Sequence, residues 1–481
     1  MPELSRERRL LILAICCLSL FIVGLDNTIV NVALPSIQRG LHAPVSGLQW
    51  IVDAYTVVMA SLLILAGSTA DRLGRRRIFQ VGLASFTVAS LLCSLAPGLG
   101  WLVAFRGLQA IGGSMLNPVA LSIIANTFTD PRERARAIGV WGGVFGLSIA
   151  LGPVLGGVLT DSVGWRGIFW VNIPVGVAAI VLTALFVPES RAARPRRVDP
   201  VGQVLVIVAL ASLTYAIIEG PGTGWTSPLI LGLFAVAAAA VAGMIFYEPR
   251  RREPLLDLRF FHSAPFSGAT LIAVSAFAAT GGFLFLNTLY LQEVRGLSAL
   301  HAGLYTLPLA VMTLLLAPLS GWITGRWGPR LPLLVAGVAM TTGGLLLTGL
   351  APATPVGWLL IAYVTFGIGS GLVNPPITNT AVSGMPRAQA GVAAAVASTS
   401  RQVGQSLGVA VVGAAVTSAL HGPLRAGLAQ ASHVGWWIIA GFGAAVFLVG
   451  LITSGRWARA TAARTSERIT ADEARIPVAA P

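Results

Sequence analysis

Long apolar stretches alternate with short polar loops along the whole chain. A helix needs about 20 mostly apolar residues to cross the hydrocarbon core of a bilayer. On that criterion the pattern predicts fourteen spans, at 10–33, 47–66, 78–96, 101–127, 136–160, 166–187, 201–218, 228–247, 264–290, 301–324, 332–350, 355–381, 391–419 and 434–454. The pattern therefore predicts an all-α integral membrane protein.

The composition supports that fold class. Of the 481 residues, 55% are hydrophobic and only 10% are charged, whereas soluble proteins carry about 25% charge. The net charge of +14 could suggest a nucleic acid partner, but the basic residues lie between the apolar runs and so indicate membrane topology. The three Cys residues lie inside apolar runs, which predicts neither a disulfide framework nor a metal site.

The distribution of Arg predicts the orientation. All 32 basic residues are Arg, and cytoplasmic loops are enriched in such residues. Only Arg39, Arg166, Arg295 and Arg425 fall in the loops of the opposite side. We therefore predict a multi-pass protein of the cell (inner or cytoplasmic) membrane, with cytoplasmic tails at 1–9 and 455–481.

The two halves of the chain share a spaced set of residues. Three groups recur in order with nearly constant offsets: Gly67, Arg72, Gly74 and Arg76 as Gly321, Arg326, Gly328 and Arg330; Gly112, Asn117 and Pro118 as Gly369, Asn374 and Pro375; Gly139, Gly152 and Gly156 as Gly391, Gly404 and Gly408. This predicts six-helix bundles at 10–187 and 263–454, joined by a linker at 188–262 with two extra spans. Parallel repeats imply bundles that rock about a central site. The extra spans have no ionisable residue in their interiors, so we expect them to face lipid.

Asp26, in the segment LDNTIVNVALP, is the most informative residue. A charge amid apolar residues costs a few kcal/mol in a membrane, so such acids are functional candidates. Asp26 is either a proton-binding carboxylate or a structural acid paired with a buried Arg. Asn31 lies one turn after Asn27, and this polar strip suits the wall of a cavity.

Two further charges lie inside predicted spans. Arg106 needs a partner or a water-lined cavity, and Asp26 and Asp53 are the candidate acids; the alternative is a static pair that fixes helix packing. Asp53, in the outer half of its span, suits a cationic ligand or a proton relay, unless it is a solvated residue at the helix start. For Glu219 and Glu293, near outer helix ends, we favour solvation. Arg401 falls where Ile149 falls in the first half and is expected to face the bundle interior.

Two Gly-rich motifs predict mechanical elements. The loop from Gly67 to Arg77 allows a tight turn, and its Asp71 could bond a helix N-terminus or an Arg across the half, as a latch; the alternative is an ordinary basic loop. The functional residues of this loop are predicted to be Gly67, Asp71, Arg72, Gly74 and Arg76. The second motif consists of Gly152, Pro153, Gly156 and Gly157. Its small residues allow close helix contact and its proline kinks the helix. The alternative is generic packing of small residues.

Together these motifs resemble the major facilitator superfamily, and more narrowly its fourteen-helix drug:proton antiporters. The segments that carry the resemblance are LDNTIVNVALP, WIVDAYT, GSTADRLGRRR, RGLQAIGG, GPVLGG and GWRGIFWVNIPVG. IIEGPGTGW and the region 254–268 resemble actinobacterial antibiotic exporters of the methylenomycin-resistance type. The resemblance implies that Asp26, Arg106 and Asp53 couple protons to substrate, and that Asp71 with Arg72 forms a gating loop. The tenth predicted span has no acid and the thirteenth has Arg401, which puts export of divalent cations in doubt.

The leading functional prediction is export of a small lipophilic drug or antibiotic in exchange for protons. The alternative on the same scaffold is a proton-coupled importer of a small metabolite. A membrane-embedded enzyme or receptor is a different class, but the spans contain no metal-ligand spacing and no nucleophile–base cluster. We therefore predict no catalytic activity, cofactor or metal, and a monomer whose partners are drug, protons and the lipid bilayer, not nucleic acid.

Overall fold

A computed structural model describes residues 5–192, 198–251, 253–383, 385, 390–422 and 424–475. The outermost residues of both predicted tails, 1–4 and 476–481, lie outside this part of the chain. Within the described ranges all regular structure is helical. The prediction of an all-α protein is confirmed.

The first half of the chain forms seven helices: α1 (Arg6–Leu41), α2 (Val45–Leu73), α3 (Arg75–Ser94), α4 (Leu99–Thr127), α5 (Pro131–Val163), the short α6 (Gly167–Trp170) and α7 (Asn172–Phe186). Two further helices follow, α8 (Pro200–Thr223) and α9 (Pro228–Tyr247). Each of these two begins with Pro at the first helical position, after an Asp or Ser whose side chain caps the helix.

The second half forms six long helices and a terminal one: α10 (Ala264–Leu289), α11 (Ala299–Trp327), α12 (Arg330–Leu345), α13 (Val356–Val382), α14 (Ala390–Ala419), α15 (Leu424–Thr453) and α16 (Arg456–Arg475). A π-helical turn, Tyr290–Val294, continues α10. Among the described residues, twelve helices are long and apolar enough to cross a membrane, and α12 is apolar but has only 16 residues. The chain is thus a multi-pass membrane protein.

The same helix pairs pack together in both halves. In the first half α1 packs on α5 and α2 on α4, and in the second α10 packs on α14 and α11 on α13. Glycines allow these approaches: a Cβ on Gly152 or Gly156 would strike Thr28 or Ile29 of α1. In the second half, Cβ atoms on Gly404 and Gly408 would strike Val274 and Ala278 of α10. The internal repeat is therefore visible in the packing: the α10–α14 contact of the second half repeats the α1–α5 contact of the first.

The two halves meet along α5 with α11 and along α2 with α14. On α5, a Cβ at Gly157 would lie 2.5 Å from the Cα of Leu300, and Gly303 of α11 approaches the carbonyl of Pro153. Asp161 caps α11, because its carboxylate accepts from the backbone N–H of Leu300 at 2.9 Å. These contacts close the seam at the end of the molecule whose loops carry few Arg, which we call the Arg-poor end.

The seam opens toward the opposite, Arg-rich end. The positions that Cβ atoms would occupy on Gly139, Gly142 and Gly143 of α5 have no neighbouring atom within 4 Å, and the same holds for Gly325 of α11. The ion pairs that the structure describes at this end of the first half join residues of that half to each other: Arg9–Glu133, Asp71–Arg75 and Arg77–Glu189. The molecule is closed at the Arg-poor end and open at the Arg-rich end.

The first extra helix does not simply face lipid. α8 packs against both α2 and α14, whereas α9 packs on α8. Gln203 of α8 donates to the carbonyl of Ser61 at 2.6 Å, and Glu219 accepts from the indole N–H of Trp50 at 2.7 Å. α8 nevertheless exposes Val201, Val204 and Ile207 on its outer side, so the expected peripheral, lipid-facing position stays a prediction. The two polar contacts of Gln203 and Glu219 fasten α8 to α2.

We predict that Gly157→Val lowers the melting temperature of the purified protein in detergent. Adding a side chain to this tight contact of α5 with α11 should cost about 1–3 kcal/mol of overpacking. Gly143→Val, on the same helix where a Cβ meets open space, is the matched control and should shift the melting point little. Equal shifts for the two variants would show that the α5–α11 contact is not tight.

Candidate functional site

Asp26 lies at the centre of a buried polar cluster in the first half. It is 0% exposed, and three side chains donate to its carboxylate. Arg106 of α4 forms an ion pair with Oδ2 at 2.5 Å. Gln109 and Asn172 donate to Oδ1 at 2.9 and 3.0 Å. Helices α1, α4 and α7 therefore converge on one carboxylate.

Arg106 is held on several sides at once. Its Nε–H donates to the carbonyl of Ile51 at 3.1 Å, and Nη1 also donates to Oε1 of Gln109 at 2.6 Å. The guanidinium carbon lies 4.3 Å from the centroid of the Tyr55 ring, within the range of a cation–π interaction. Because Ile51 and Tyr55 belong to α2, this cation also ties α2 to the cluster.

Sequence reasoning missed three members of this cluster. Ser90 of α3 accepts from Gln109 at 2.7 Å and from Asn172 at 3.2 Å, so it holds both amides in place. Gln109 follows Arg106 by one helical turn, and Asn172 begins α7. The sequence does contain a signal for these residues, because each is a polar residue within an otherwise apolar stretch. A buried charge needs satisfied neighbours, which these neutral residues provide.

Asp53 is separate from the ion pair. It is 0% exposed, so it is not a solvated residue at the helix start. Its Oδ1 accepts from the hydroxyl of Thr56 at 3.2 Å, and the hydroxyl of Ser406 of α14 approaches the same carboxyl group. One turn earlier, Gln49 donates to the carbonyls of Val409 and Ala410 at 3.2 and 3.0 Å. Asp53 therefore lies in the α2–α14 contact between the halves.

Asn31 is buried within the packed helices. It is 4% exposed, and its Nδ2 donates to the carbonyl of Asn27 within the same helix at 3.0 Å. Its predicted place on the wall of a polar cavity stays a prediction. The side-chain oxygen of Asn27, by contrast, has no hydrogen-bond partner among the described residues.

The predicted gating loop is braced within its own half. Asp71 accepts from Arg75 at 2.7 Å, and within the described ranges no other Arg forms an ion pair with it, so its role as a latch stays a prediction. Arg76 donates its backbone N–H to Glu189 at 3.1 Å, a residue that sequence reasoning missed. Gly74 has a φ of 120° and lies against the Glu189 carboxylate, so a side chain there would be both strained and crowded. Gly67 lies near Pro118, and Arg72 is exposed.

The predicted antiporter motif lies between two helices. Gly152 and Gly156 face α1, and Gly157 faces α11, with Pro153 inside α5 at the level of Gly303. The motif therefore connects the helix that carries Asp26 to the seam between the halves. Because Gly152 and Gly156 pack directly on α1, a movement of α1 would displace α5 as well.

A second ion-pair cluster closes the Arg-poor end. Glu293, in the π-helical turn, is 9% exposed and accepts from Arg39 of α1 at 2.9 Å and from Arg425 of α15 at 3.3 Å. Its neighbour Gln292 donates to the carbonyl of Val32 at 2.7 Å. The expectation that Glu293 is solvated is wrong, since it bridges the halves. Glu219 also has a partner, the Trp50 indole described above.

This arrangement of two pseudo-repeated helical halves about a seam, with a buried acid–Arg cluster in one half, defines a membrane transporter. A family model of the Major Facilitator Superfamily matches residues 16–409, and the chain belongs to that family. The described residues contain no group of three or more His, Cys, Asp or Glu that could hold a metal.

Three relatives are resistance proteins by name. The multidrug resistance protein Stp of Mycobacterium tuberculosis is 38% identical over 423 residues, 88% of this chain and 79% of the relative. The tetracenomycin C resistance and export protein of Streptomyces glaucescens is 40% identical over 399 residues, 82% and 74% of the two chains. The methylenomycin A resistance protein of Streptomyces coelicolor is 34% identical over 402 residues, 82% and 83%. The resemblance to such exporters is confirmed.

The fold also matches solved structures. A bacterial homologue of the human lysosomal transporter Spinster aligns with a TM-score of 0.64 at 19% identity, covering 97% of this chain and 99% of that one.

We predict that Arg106→Ala lowers the melting temperature more than Asp26→Asn does. Removing the cation leaves a buried carboxylate uncompensated, which costs about 3–5 kcal/mol. In Asp26→Asn the remaining Arg106 cation still has the Ile51 carbonyl, Gln109 Oε1 and the Tyr55 ring, and the amide keeps the shape of the acid. The double variant should melt above Arg106→Ala alone, because no unpaired carboxylate remains. Additive effects in this double-mutant cycle, measured in detergent, would mean that the two residues do not interact.

Proposed function

We propose that this protein is a proton-coupled multidrug or antibiotic efflux antiporter that works by alternating access. The observation that carries the proposal is the Asp26 cluster: one fully buried carboxylate is held by Arg106, Gln109 and Asn172. The relatives named above are resistance and export proteins, which favours outward transport of a lipophilic compound. Members of this family move solutes and are not enzymes.

Protonation of Asp26 would change the forces in this cluster. A neutral carboxyl no longer attracts Arg106, and it offers fewer acceptor sites to the three donors that converge on it. The ties between α1, α4 and α7 would loosen. Because α5 packs on α1 through Gly152 and Gly156 and on α11 through Gly157, a shift of α1 after protonation would alter the contact between the two halves. A proton at Asp26 can thus favour a different arrangement of the two halves.

The described state is one end point of such a cycle. Its Arg-poor end is shut by Glu293, Gln292 and Asp161, and its Arg-rich end is open. We assign the Arg-rich end to the cytoplasm by the positive-inside rule. Both tails are then cytoplasmic and the state faces inward, in a monomer of the cytoplasmic membrane. In this assignment Asp71, Arg72 and Arg76 lie at the cytoplasmic opening between the halves, which is the position that a gating loop requires.

The topology that we propose has fourteen spans. The helices α1 to α5, the α6–α7 pair and α8 to α15 each take one crossing, which makes six, two and six. The shorter α12 still packs on α13 and α15, in the place that α3 has on α4 and α7 in the first half.

A proton-coupled importer of a small metabolite is the second candidate on this scaffold. The same ion pair would serve it, so the cluster alone does not set the direction of transport. Export is favoured by the relatives and by the antiporter motif at Gly152 to Gly157. Everted membrane vesicles separate the two: with an acid interior, an exporter accumulates the drug and an importer does not.

We predict that Asp26→Asn abolishes proton-coupled drug export while the protein still folds and binds drug. The amide keeps the shape but cannot carry the proton. Transport is measured in proteoliposomes with an imposed pH gradient, for the wild type, Asp26→Asn and Asp26→Glu. Asp130→Asn is the matched control, since Asp130 caps α5 at the surface and Asn caps equally well. Full coupled export by Asp26→Asn would remove this residue from the mechanism and transfer the role to Asp53.

We also predict opposite labelling of two single cysteines placed in a Cys-free background. Gly222→Cys, in the exposed last turn of α8 next to the loop that leads to α9, should react with an impermeant maleimide on whole cells. Arg251→Cys, beyond α9, should react only after the membrane is opened. Both positions are exposed, so access depends on the side of the membrane. The reverse pattern would invert the proposed orientation, and labelling of both from outside would contradict fourteen spans.

A further inference from the structure

Arg401, in the middle of α14, is a cation without an acidic partner in the structure. Its guanidinium donates to three neutral acceptors: Oδ1 of Asn374 at 3.2 Å, Oγ1 of Thr378 at 3.2 Å and Oγ of Ser398 at 2.8 Å. No carboxylate of the described residues forms an ion pair with it, and every Asp and Glu from residue 5 to 471 is described. Arg106, by contrast, has Asp26.

The partners of Arg401 show that its head group lies toward the middle of the molecule. On α13, Phe366 stacks on Phe283 of α10 with ring centroids 4.4 Å apart, Gly371 packs on α11, and Gly369 packs on α12. At 100° per residue, Asn374 and Thr378 lie opposite Gly369, on the side of α13 where Gly367 packs on Leu309 of α11 nearer the Arg-poor end. Both α10 and α11 contact helices of the first half. This face of α13 is therefore turned toward the space between the halves.

That space is accessible from the open, Arg-rich end. Arg401, Asn374 and Ser398 are half-buried, and Thr378 is exposed. The contact of Asp53 with Ser406, which closes the α2–α14 seam, lies five residues further along α14, about 7.5 Å toward the Arg-poor end. Arg401 thus lies just below the closed part of the seam, where a compound entering from the open end would stop.

The hydrogen bonds of Arg401 leave donors to spare. A guanidinium has five N–H groups, and the three described bonds use only Nη1 and Nη2. The Nε–H and one N–H of Nη2 have no described acceptor. Two N–H groups on adjacent nitrogens match the two oxygens of a carboxylate. A cation at membrane depth is costly and persists where it serves a function.

From these observations we propose that Arg401 binds the acidic group of the transported compound, so that lipophilic acids are a substrate class of this protein. The proposal rests on the proposed function as a drug transporter. A carboxylate entering from the open end would pair with the Nε and Nη2 edge, while Asn374, Thr378 and Ser398 hold the guanidinium in place. The first half has Ile149 at the corresponding position, so this site exists once.

The competing role for Arg401 is a counter-charge for Asp53. Neither residue forms an ion pair within the described part of the chain, and they lie on the facing helices α2 and α14. In that case Arg401 would act on the seam and would show no preference among ligands. The experiment must therefore compare ligands that share one apolar ring and carry a negative, a neutral or a positive group.

The test uses three fluorescent compounds with the same ring: anthracene-9-carboxylate, its methyl ester and 9-(aminomethyl)anthracene. Binding to the purified full-length protein in detergent is measured as Kd for the wild type, Arg401→Gln and Arg401→Lys. Arg468→Gln, which makes the same charge change on the exposed surface of α16, is the matched control. Export of the ester by proteoliposomes is recorded in parallel.

We expect the wild type to bind the carboxylate more tightly than the ester or the amine. Arg401→Gln should weaken carboxylate binding by about tenfold or more, the loss typical of a hydrogen-bonded charge. The Kd of the ester should hardly change, and Arg401→Lys should fall between. A wild type that binds no carboxylate, or an Arg401→Gln variant that weakens the binding of all three ligands alike, would overturn the proposal. Absence of ester export by the wild type would instead count against the proposed function, while the Kd values still decide the role of Arg401.

Discussion

The buried Asp26–Arg106 ion pair is the interaction on which the rest of the first half depends. Two opposite charges at this depth are stable only together and only with their remaining donors and acceptors satisfied. Gln109, Asn172, Ser90 and the Ile51 carbonyl meet that requirement, and in doing so they bring α1, α2, α3, α4 and α7 to one point. Any change in the charge of Asp26 therefore acts on five helices at once.

Glycine-mediated packing links this cluster to the seam between the halves. One Gly-lined face of α5 packs on α1 and another packs on α11. In the second half, a Gly-lined face of α14 packs on α10 in the same way as α5 packs on α1. Such contacts leave little room for independent movement, because backbone atoms touch without intervening flexible side chains. The two halves are thus expected to move as bodies, with Glu293, Gln292 and Gln49 as the polar contacts that must break when the Arg-poor end opens.

The sequence predicts the helical fold, the repeat and the charged pair, because each leaves a strong local signal. Asp26 stands out amid apolar residues, and the Gly-rich motifs recur in register. The sequence does not single out Gln109, Asn172 and Ser90 as members of the Asp26 cluster, since neutral polar residues are common in such spans. Glu293 was misread as solvated because its position near a helix end hides the fact that the π-helical turn directs it to Arg39. The place of α8 depends on contacts with two distant helices, which no local pattern encodes.

The central claim is that Asp26 is the carboxylate that gains and loses the coupled proton. Infrared difference spectroscopy of the purified protein measures this directly, since a protonated carboxylic acid has its own C=O stretching band. On acidification, the wild type should show such a band from a buried acid. The account predicts that the band disappears in Asp26→Asn and remains in Asp53→Asn. A band that survives Asp26→Asn and disappears in Asp53→Asn would contradict it.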